Sequence, residues 1–266
     1  MTRIDSPANP RIAAVTRAVA EGDLMLLEGR RMIEEALDAE IAVNEVFVQS
    51  EMAEENEDLL GRLSGGGAAR GAGTARVTPV SSRVLRKISD LPSSRGVAAT
   101  APPPRRALAA LARGPEAGNS LFLLLDDVQD PANVGAILRC AEAFGVAAAI
   151  TTPGCAWPFS PRALRASAGS ALRVPIATRV PAAEAVAWAR ASGAELAGAE
   201  AHGGASPASA ARIRPLVLVV GSEGRGISPD VEAALDRRLT LPLAGRVESL
   251  NAAVAAGLLL FIVSRH

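Results

Sequence analysis

Three separated stretches of this chain set polar side chains among glycines or against the start of an apolar run: DDVQDPANVGAILR at 126–139, VVGSEGRGIS at 219–228 and RVESLN at 246–251. In the first, Asn133 opens a helix whose Arg139 follows in under two turns. Helical side chains lean toward the N-terminus, so that guanidinium can extend back toward the helix mouth. Taken alone, Asn133 is a helix cap and Arg139 a surface residue. In the second stretch Gly221, Gly224 and Gly226 permit close backbone approach to a ligand, and Glu223 offers a carboxylate to a ligand donor or a cation. A plain tight turn with an exposed glutamate is the competing reading. The glycines have neither G-x-G-x-x-G spacing nor a GK[ST] ending, which disfavours dinucleotide and ATP cradles. In the third stretch Ser249 and Asn251 stand where the first N–H groups of an apolar helix over Ala252–Val263 need acceptors. They can cap those groups or present a hydroxyl and an amide to a ligand at the same place.

Such residues need elements to hold them. The three stretches lie at or just after the ends of LFLLL, LVLVV and TLPL, and in doubly wound α/β sheets ligands bind beyond the carboxyl ends of the strands. After Asn119 the chain has that texture throughout. LFLLLD reads as a strand, VGAILRCAEAFG as a helix closed by Gly145, and VAAAIT as a strand. Further on, AAEAVAWARASG is a helix, PLVLVVG a strand, SPDVEAALD a helix capped by Ser228 with Pro229 at its first position, and RLTLPL a short last strand. A buried parallel sheet follows. The apolar helix over Ala252–Val263 must be packed on most sides, in the core, a subunit interface or both.

The first third reads as a smaller α/β unit: a helix over Arg11–Ala20, a strand LMLLEG ending at Gly29, a helix RRMIEEALDAE and a strand VNEVFVQS, an order that favours a parallel pair. EMAEENEDLLGRL is a helix candidate, and GGGAARGAGTA a flexible loop. From Arg76 to Arg113 the charge turns basic, with Arg83, Arg86, Lys87, Arg95, Arg105 and Arg106 against Asp90 alone. APPPRR inside that run suits a linker, and either a solvated face or a phosphate-binding groove explains its cations. The expected division is therefore 1–100, a Pro/Arg-rich linker 101–118, and 119–266.

Composition bounds the class. A chain of 266 residues, 49% of them hydrophobic, can bury a sizeable core, and its zero formal charge gives no bulk footprint for nucleic acid. Cys140 and Cys155 have neither metal-ligand spacing nor the density of a disulfide scaffold, so both are expected as reduced thiols and no metal is expected. The N-terminus MTRIDSPANPRIAAV has no secretory signal pattern, and Ala252–Val263 is too short to span a membrane. A cytoplasmic address is the expectation. His202, in a loop, and His266, at the terminus, are expected to face solvent.

Taken together, DPANVGAILRCAEAFG, VVGSEGRGIS and LPLAGRVESLNAAVA resemble, in order, the motifs of the SpoU/TrmH family of SPOUT-class RNA 2′-O-ribose methyltransferases. The resemblance covers Asn119–His266, and SPANPRI, LLEGRRMIEEAL and SDLPSSRGVAA resemble the ribosomal-protein-like substrate-recognition domain many members carry. It implies a parallel-sheet α/β domain with a C-terminal trefoil knot, S-adenosyl-L-methionine as cofactor, a homodimer formed through the knotted domain, and RNA as substrate. On matching positions it implies Asn133, Arg139, Glu223, Ser249 and Asn251 as the catalytic polar set, and Gly221, Ser222, Leu241, Gly245 and Leu250 as cofactor contacts. Leu241-Pro242-Leu243 replaces the family's usual Ile-Pro-Met, which keeps apolar volume. Arg139 would orient the phosphate beside the ribose and stabilise the developing alkoxide, since a free guanidinium is too weak an acid to act readily as a base. Ribosomal RNA is the expected target. Transfer RNA, a catalytically inactive RNA-binding paralogue and a dehydrogenase-like nucleotide enzyme are the alternatives, the last disfavoured by the missing fingerprint.

Overall fold

The computed structural model describes residues 3–64, 74–89, 91, 95–111, 120–210 and 215–264. The GGGAARGAGTA loop lies largely outside these residues, as do Asp90, Arg113, His266 and much of the expected linker. The chain divides into two compact units, residues 1–104 with 159–165, and residues 105–158 with 166–266.

In the first unit Asn9 accepts a hydrogen bond from the Arg11 N–H and Pro10 sets the first turn, starting helix α1 (Pro10–Glu21), which ends at Gly22 in the left-handed region. Strand β1 (Met25–Glu28), helix α2 (Gly29–Asp38) and strand β2 (Glu45–Gln49) follow, then helix α3 (Glu57–Ser64), strand β3 (Arg76–Val80), helix α4 (Ser82–Ile88) and strand β4 (Val97–Ala101). The sheet order is β1-β4-β2-β3. This corrects the expected pairing: β1 and β2 are not neighbours, because β4 lies between them and runs antiparallel to both, with Leu27 opposite Ala99 and Phe47 opposite Ala98. Valine and small residues buried at every position let VAATA fill that central place, while β2 takes its parallel partner from β3. The acidic stretch before α3 is also tighter than expected, forming short 3-10 turns over Ser50–Met52 and Glu54–Asn56. Ile12, Leu26, Phe47, Val80, Val84 and Leu85 form the core.

The second unit starts with the short helix α5 (Leu108–Leu111) and is built on strand β5 (Leu121–Leu125), helix α6 (Pro131–Ala143) and strand β6 (Ala148–Thr151); helix α7 (Pro161–Ser167) falls mostly in the 159–165 stretch of the first unit, and helix α8 (Ser170–Arg173) and strand β7 (Ile176–Ala177) return to the second. Helix α9 (Ala182–Ala191), strands β8 (Glu195–Ala199) and β9 (Leu216–Val220), helix α10 (Pro229–Glu232), strand β10 (Arg237–Leu239) and helix α11 (Ala252–Ser264) complete it. The six strands are all parallel, in the order β10-β8-β9-β5-β6-β7. LFLLL and LVLVV, buried at every position, form its centre. Phe122 meets Trp188 edge-on at 5.0 Å beneath them, and each such fully buried apolar side chain contributes about 1.5–3 kcal/mol.

Helix α11 packs on α6, where a side chain on Gly257 would press on the Cys140 sulfur at 3.0 Å. One side of the helix buries Ala252, Ala256, Leu259, Leu260 and Val263, but Val254, Leu258 and Phe261 are exposed. Within one chain it is thus covered on fewer sides than its composition predicts. Both cysteines are free, and burial raises the pKa of each thiol. Among the described residues no helix is long and apolar enough to cross a membrane, and no group of His, Cys, Asp or Glu is placed to hold a metal ion.

Candidate functional site

Strands β5 and β9 are neighbours at the middle of the sheet, yet the chain leaves them in opposite directions, β5 through α6 to β6 and β9 through α10 to the edge strand β10. The loops after two such strands diverge and leave a crevice between them. Asp126 ties its base: this buried side chain accepts a hydrogen bond from the Ser228 N–H at 2.7 Å, joining the end of β5 to the loop after β9. Asp127, held in the left-handed region at φ 59°, pairs with Arg225 of that same loop.

Helix α6 is capped by Asp130, whose Oδ1 accepts from the Ala132 N–H at 3.0 Å. The cap expected of Asn133 is therefore made three residues earlier, with Pro131 at the first helical position. Asn133 sits in the first turn with its amide free to reach across the crevice, where its Nδ2 donates to Glu223 Oε1. Its Oδ1 accepts a hydrogen bond from Asn251 Nδ2 at 3.1 Å. Asn251 caps as well, its Oδ1 accepting from the Ala253 and Val254 N–H groups at 3.0 and 3.3 Å. Both uses weighed for Asn251 are realised by different atoms of one amide. Ser228 makes no side-chain cap bond to α10.

Glu223 is presented by a tight turn in which Ser222 and Gly226 exchange backbone hydrogen bonds of 2.9 Å each way, with Gly226 at φ 70°. Gly221 lies so close to the backbone of Gly226 and Ile227 that no Cβ fits there.

Beside this turn a cleft of about 350 Å³ opens at the ends of β8, β9 and β10. Of the expected contacts, Gly221, Ser222, Glu223, Leu241, Ser249 and Leu250 line it. Asn133 and Asn251 join it through Glu223, whereas Gly245 and Arg139 do not line it. Arg139 is exposed on α6, and among the described residues its guanidinium has no ion-pair or hydrogen-bond partner.

The cleft also takes in Glu200, His202, Leu243, Glu248 and Leu259, which sequence reasoning did not assign. His202 is exposed, as expected, but on this wall. Glu200 and His202 follow β8, a strand not recognised in the sequence; the rule that ligands gather beyond strand ends would have found them had it been. Glutamates at 200, 223 and 248 line the cleft with no lysine or arginine. Such a wall favours a cationic ligand and opposes a pyrophosphate.

The SpoU rRNA Methylase family model matches residues 120–261, and the MRM3-like substrate binding domain matches residues 17–99. An uncharacterized tRNA/rRNA methyltransferase of Synechocystis sp. is 30% identical across 99% of this chain and 93% of its own length. One from Mycolicibacterium gilvum is 35% identical across 57% of this chain, the match spanning about half (48%) of that relative. Among solved structures, an RNA 2′-O ribose methyltransferase superposes with TM-score 0.78 at 28% identity over 98% of both chains. An AdoMet-bound rRNA methyltransferase from Sinorhizobium meliloti superposes with TM-score 0.83 at 24% identity over 98% of this chain and 97% of that one, a likeness of fold. The sheet order, the three joined loops and the matched residues 120–261 lead to one conclusion: this chain belongs to the SpoU rRNA methylase family.

Proposed function

We propose that this protein transfers a methyl group from S-adenosylmethionine to a ribose 2′-hydroxyl of structured RNA, with ribosomal RNA as the substrate class. The observation that carries this reading is the side-chain relay Asn251 to Asn133 to Glu223, which joins three distant loops at the edge of an acidic cleft. The cleft suits the cofactor on its own chemistry: about 350 Å³ is within the range of small-molecule sites. Leu241, Leu243, Leu250 and Leu259 offer apolar wall to an adenine, and the glutamates suit a ligand bearing sulfonium and ammonium charges. When bound, the cofactor supplies an electrophilic methyl group.

The remaining work falls to the chain. Asn133 fixes Glu223 through one amide hydrogen and is itself fixed by Asn251, so the relay arrives preorganised. The Gly221–Gly226 turn, closed too tightly for a side chain at Gly221, holds the backbone that carries Glu223 in place. Arg139, charged and without a partner among the described residues, is available to a phosphate and to the oxygen as its proton leaves. Exposed Arg83, Arg86 and Lys87 on α4, with Arg76 and Arg95, would grip further phosphates.

A homodimer through α11 belongs to the same reading, supported by the exposed apolar stripe of Val254, Leu258 and Phe261. The C-terminal segment that supplies the third loop is where a trefoil knot would form. The decisive experiment incubates the protein with labelled S-adenosylmethionine and unmodified large-subunit ribosomal RNA or transfer RNA transcripts, then digests the RNA to nucleosides. Label in 2′-O-methylnucleosides from ribosomal RNA is expected; label in a base, or in transfer RNA alone, overturns the corresponding part.

A further inference from the structure

The cleft occupies the ends of β8, β9 and β10, and β6 and β7 lie on the other side of β5 from it. At their carboxyl ends stands a second polar feature that the relay does not use. The loop after β6 is fastened to the segment leading into α6: Cys155 Sγ donates to the Leu125 carbonyl at 3.1 Å and the Ala156 N–H to the Val128 carbonyl at 2.9 Å. Trp157 is the next residue. The segment after β7 is fastened to β6 in turn, the Arg179 N–H donating to Thr151 Oγ1 at 3.3 Å and the Val180 N–H to the Thr151 carbonyl at 2.9 Å. These ties bring the Arg179 guanidinium over the Trp157 ring, 5.2 Å from its centroid.

Arg179 holds φ at 56°, a left-handed conformation that glycine or asparagine adopts at less cost. It is exposed, and among the described residues its guanidinium pairs with no carboxylate and donates no hydrogen bond. Many of the chain's other arginines are ion-paired, Arg173 to Glu142 and Arg190 to Asp236 among them. A strained backbone that supports an exposed cation over an indole, with no ion-pair or hydrogen-bond partner among the described residues, serves the molecule poorly as packing. It serves well as a surface for RNA, where bases splayed from single-stranded segments stack on guanidinium and aromatic planes and phosphates take the free donors.

We propose that Arg179, lying over the Trp157 ring, binds the RNA nucleotide beside the target ribose and so positions the substrate. The inference rests on the methyltransferase reading for the identity of its ligand, and it adds a second contact point on the side of β5 away from the cofactor cleft. The probe is unmodified large-subunit ribosomal RNA transcript, with filter binding, kcat and KM for RNA, and S-adenosylmethionine affinity measured for wild type, Arg179→Ala, Arg179→Lys, Trp157→Ala and Trp157→Phe. Arg179→Ala and Trp157→Ala should weaken RNA binding and raise KM by about ten-fold, the range of one lost stacked base. The cofactor affinity and kcat should hold, Trp157→Phe should recover most of the loss, and Arg179→Lys, which keeps charge without a plane, should recover only part. If Trp157→Ala does not fold, Arg179→Ala and Trp157→Phe still decide. RNA affinity unchanged in Arg179→Ala overturns the inference. A wild-type protein that binds RNA without methylating it refutes the proposed activity instead, and leaves this inference to the binding measurement.

Discussion

The Asn251 side-chain amide donates a hydrogen bond of 3.1 Å to the Asn133 side-chain oxygen, joining the cap of α11 to the first turn of α6 across 118 positions of sequence. Asn251 uses its own carbonyl oxygen to cap α11. The two roles can therefore be separated by substitution. Asn251→Asp keeps the capping oxygen and loses the amide donor; Asn251→Ala loses both. The alanine variant should be destabilised by about 1 kcal/mol, the usual worth of a cap, while the aspartate variant should melt close to wild type. Both should lose at least about ten-fold in methyl transfer, the loss expected when one positioning hydrogen bond goes. Urea melts beside initial rates would show it, and full activity in the aspartate variant would remove Asn251 from the site.

Gly221 has no room for a side chain because the backbone of Gly226 and Ile227 lies against it. Gly221→Ala must open the turn that presents Glu223, a change expected to cost about 1–3 kcal/mol, as overpacking does. The turn also forms the cleft wall, so calorimetric titration with S-adenosylmethionine should show affinity falling further than stability. A variant that melts early but binds the cofactor normally would separate the turn from the cleft.

The second unit's sheet was largely legible because LFLLL and LVLVV are unbroken apolar runs of strand length, and each hands over to a polar or glycine-rich loop. β8 was not, for a packing reason. Its ELAGA contains Gly198, where an added carbon would strike Leu235 and Ile227, so small residues stand where a buried strand usually shows branched ones. With β8 went Glu200 and His202. In the first unit, β3, α4 and β4 were hidden inside a stretch read for its charge, although VAATA is buried throughout. The relay itself was legible only in part: the motifs name Asn133, Glu223 and Asn251, but that Asp130 caps α6 and leaves Asn133 free is a matter of which residue takes the helix start.

Val254, Leu258 and Phe261, 51%, 43% and 39% exposed, recur at helical spacing and form one apolar stripe along α11, with Phe261 edge-on to Phe144 at 5.7 Å. Water contact over such a stripe is costly enough to drive association. Light scattering after gel filtration should give a dimer for wild type and a monomer for Phe261→Glu or Leu258→Lys. A monomeric wild type at tens of micromolar, roughly the concentration at which weak specific interfaces already form, would leave the stripe without the role proposed for it.

Arg30 donates to both carboxylate oxygens of Asp58 and holds this exposed acid down at about 2, below the usual aspartate value. An unfolded aspartate titrates at about 3.9. The folded value is the lower one, so the pair stabilises the first unit fully above about pH 4 and stops doing so as the pH falls through about 2. Exposure to solvent keeps the effect small. Urea midpoints of wild type and Asp58→Asn should differ near neutral pH and converge between about pH 4 and pH 2. A gap that widens on acidification would contradict the assignment.

Arg139 stands on α6, six residues beyond Asn133, exposed and outside the cleft. If it only supplied positive charge, lysine would replace it; if it orients a phosphate and the oxygen losing its proton, the planar fork matters and lysine will not. Arg139→Lys should therefore keep S-adenosylmethionine affinity and RNA binding near wild type and lose about 10²-fold or more in kcat, the scale of removing one oriented donor from a developing oxyanion. Arg139→Ala should fall further and also weaken RNA binding, with a shallower dependence of affinity on salt, because one phosphate contact goes with the charge. The discriminating comparison is kcat in the lysine variant. Near-normal turnover there would reduce Arg139 to a general electrostatic contact and return the activation of the ribose hydroxyl to the relay around Glu223.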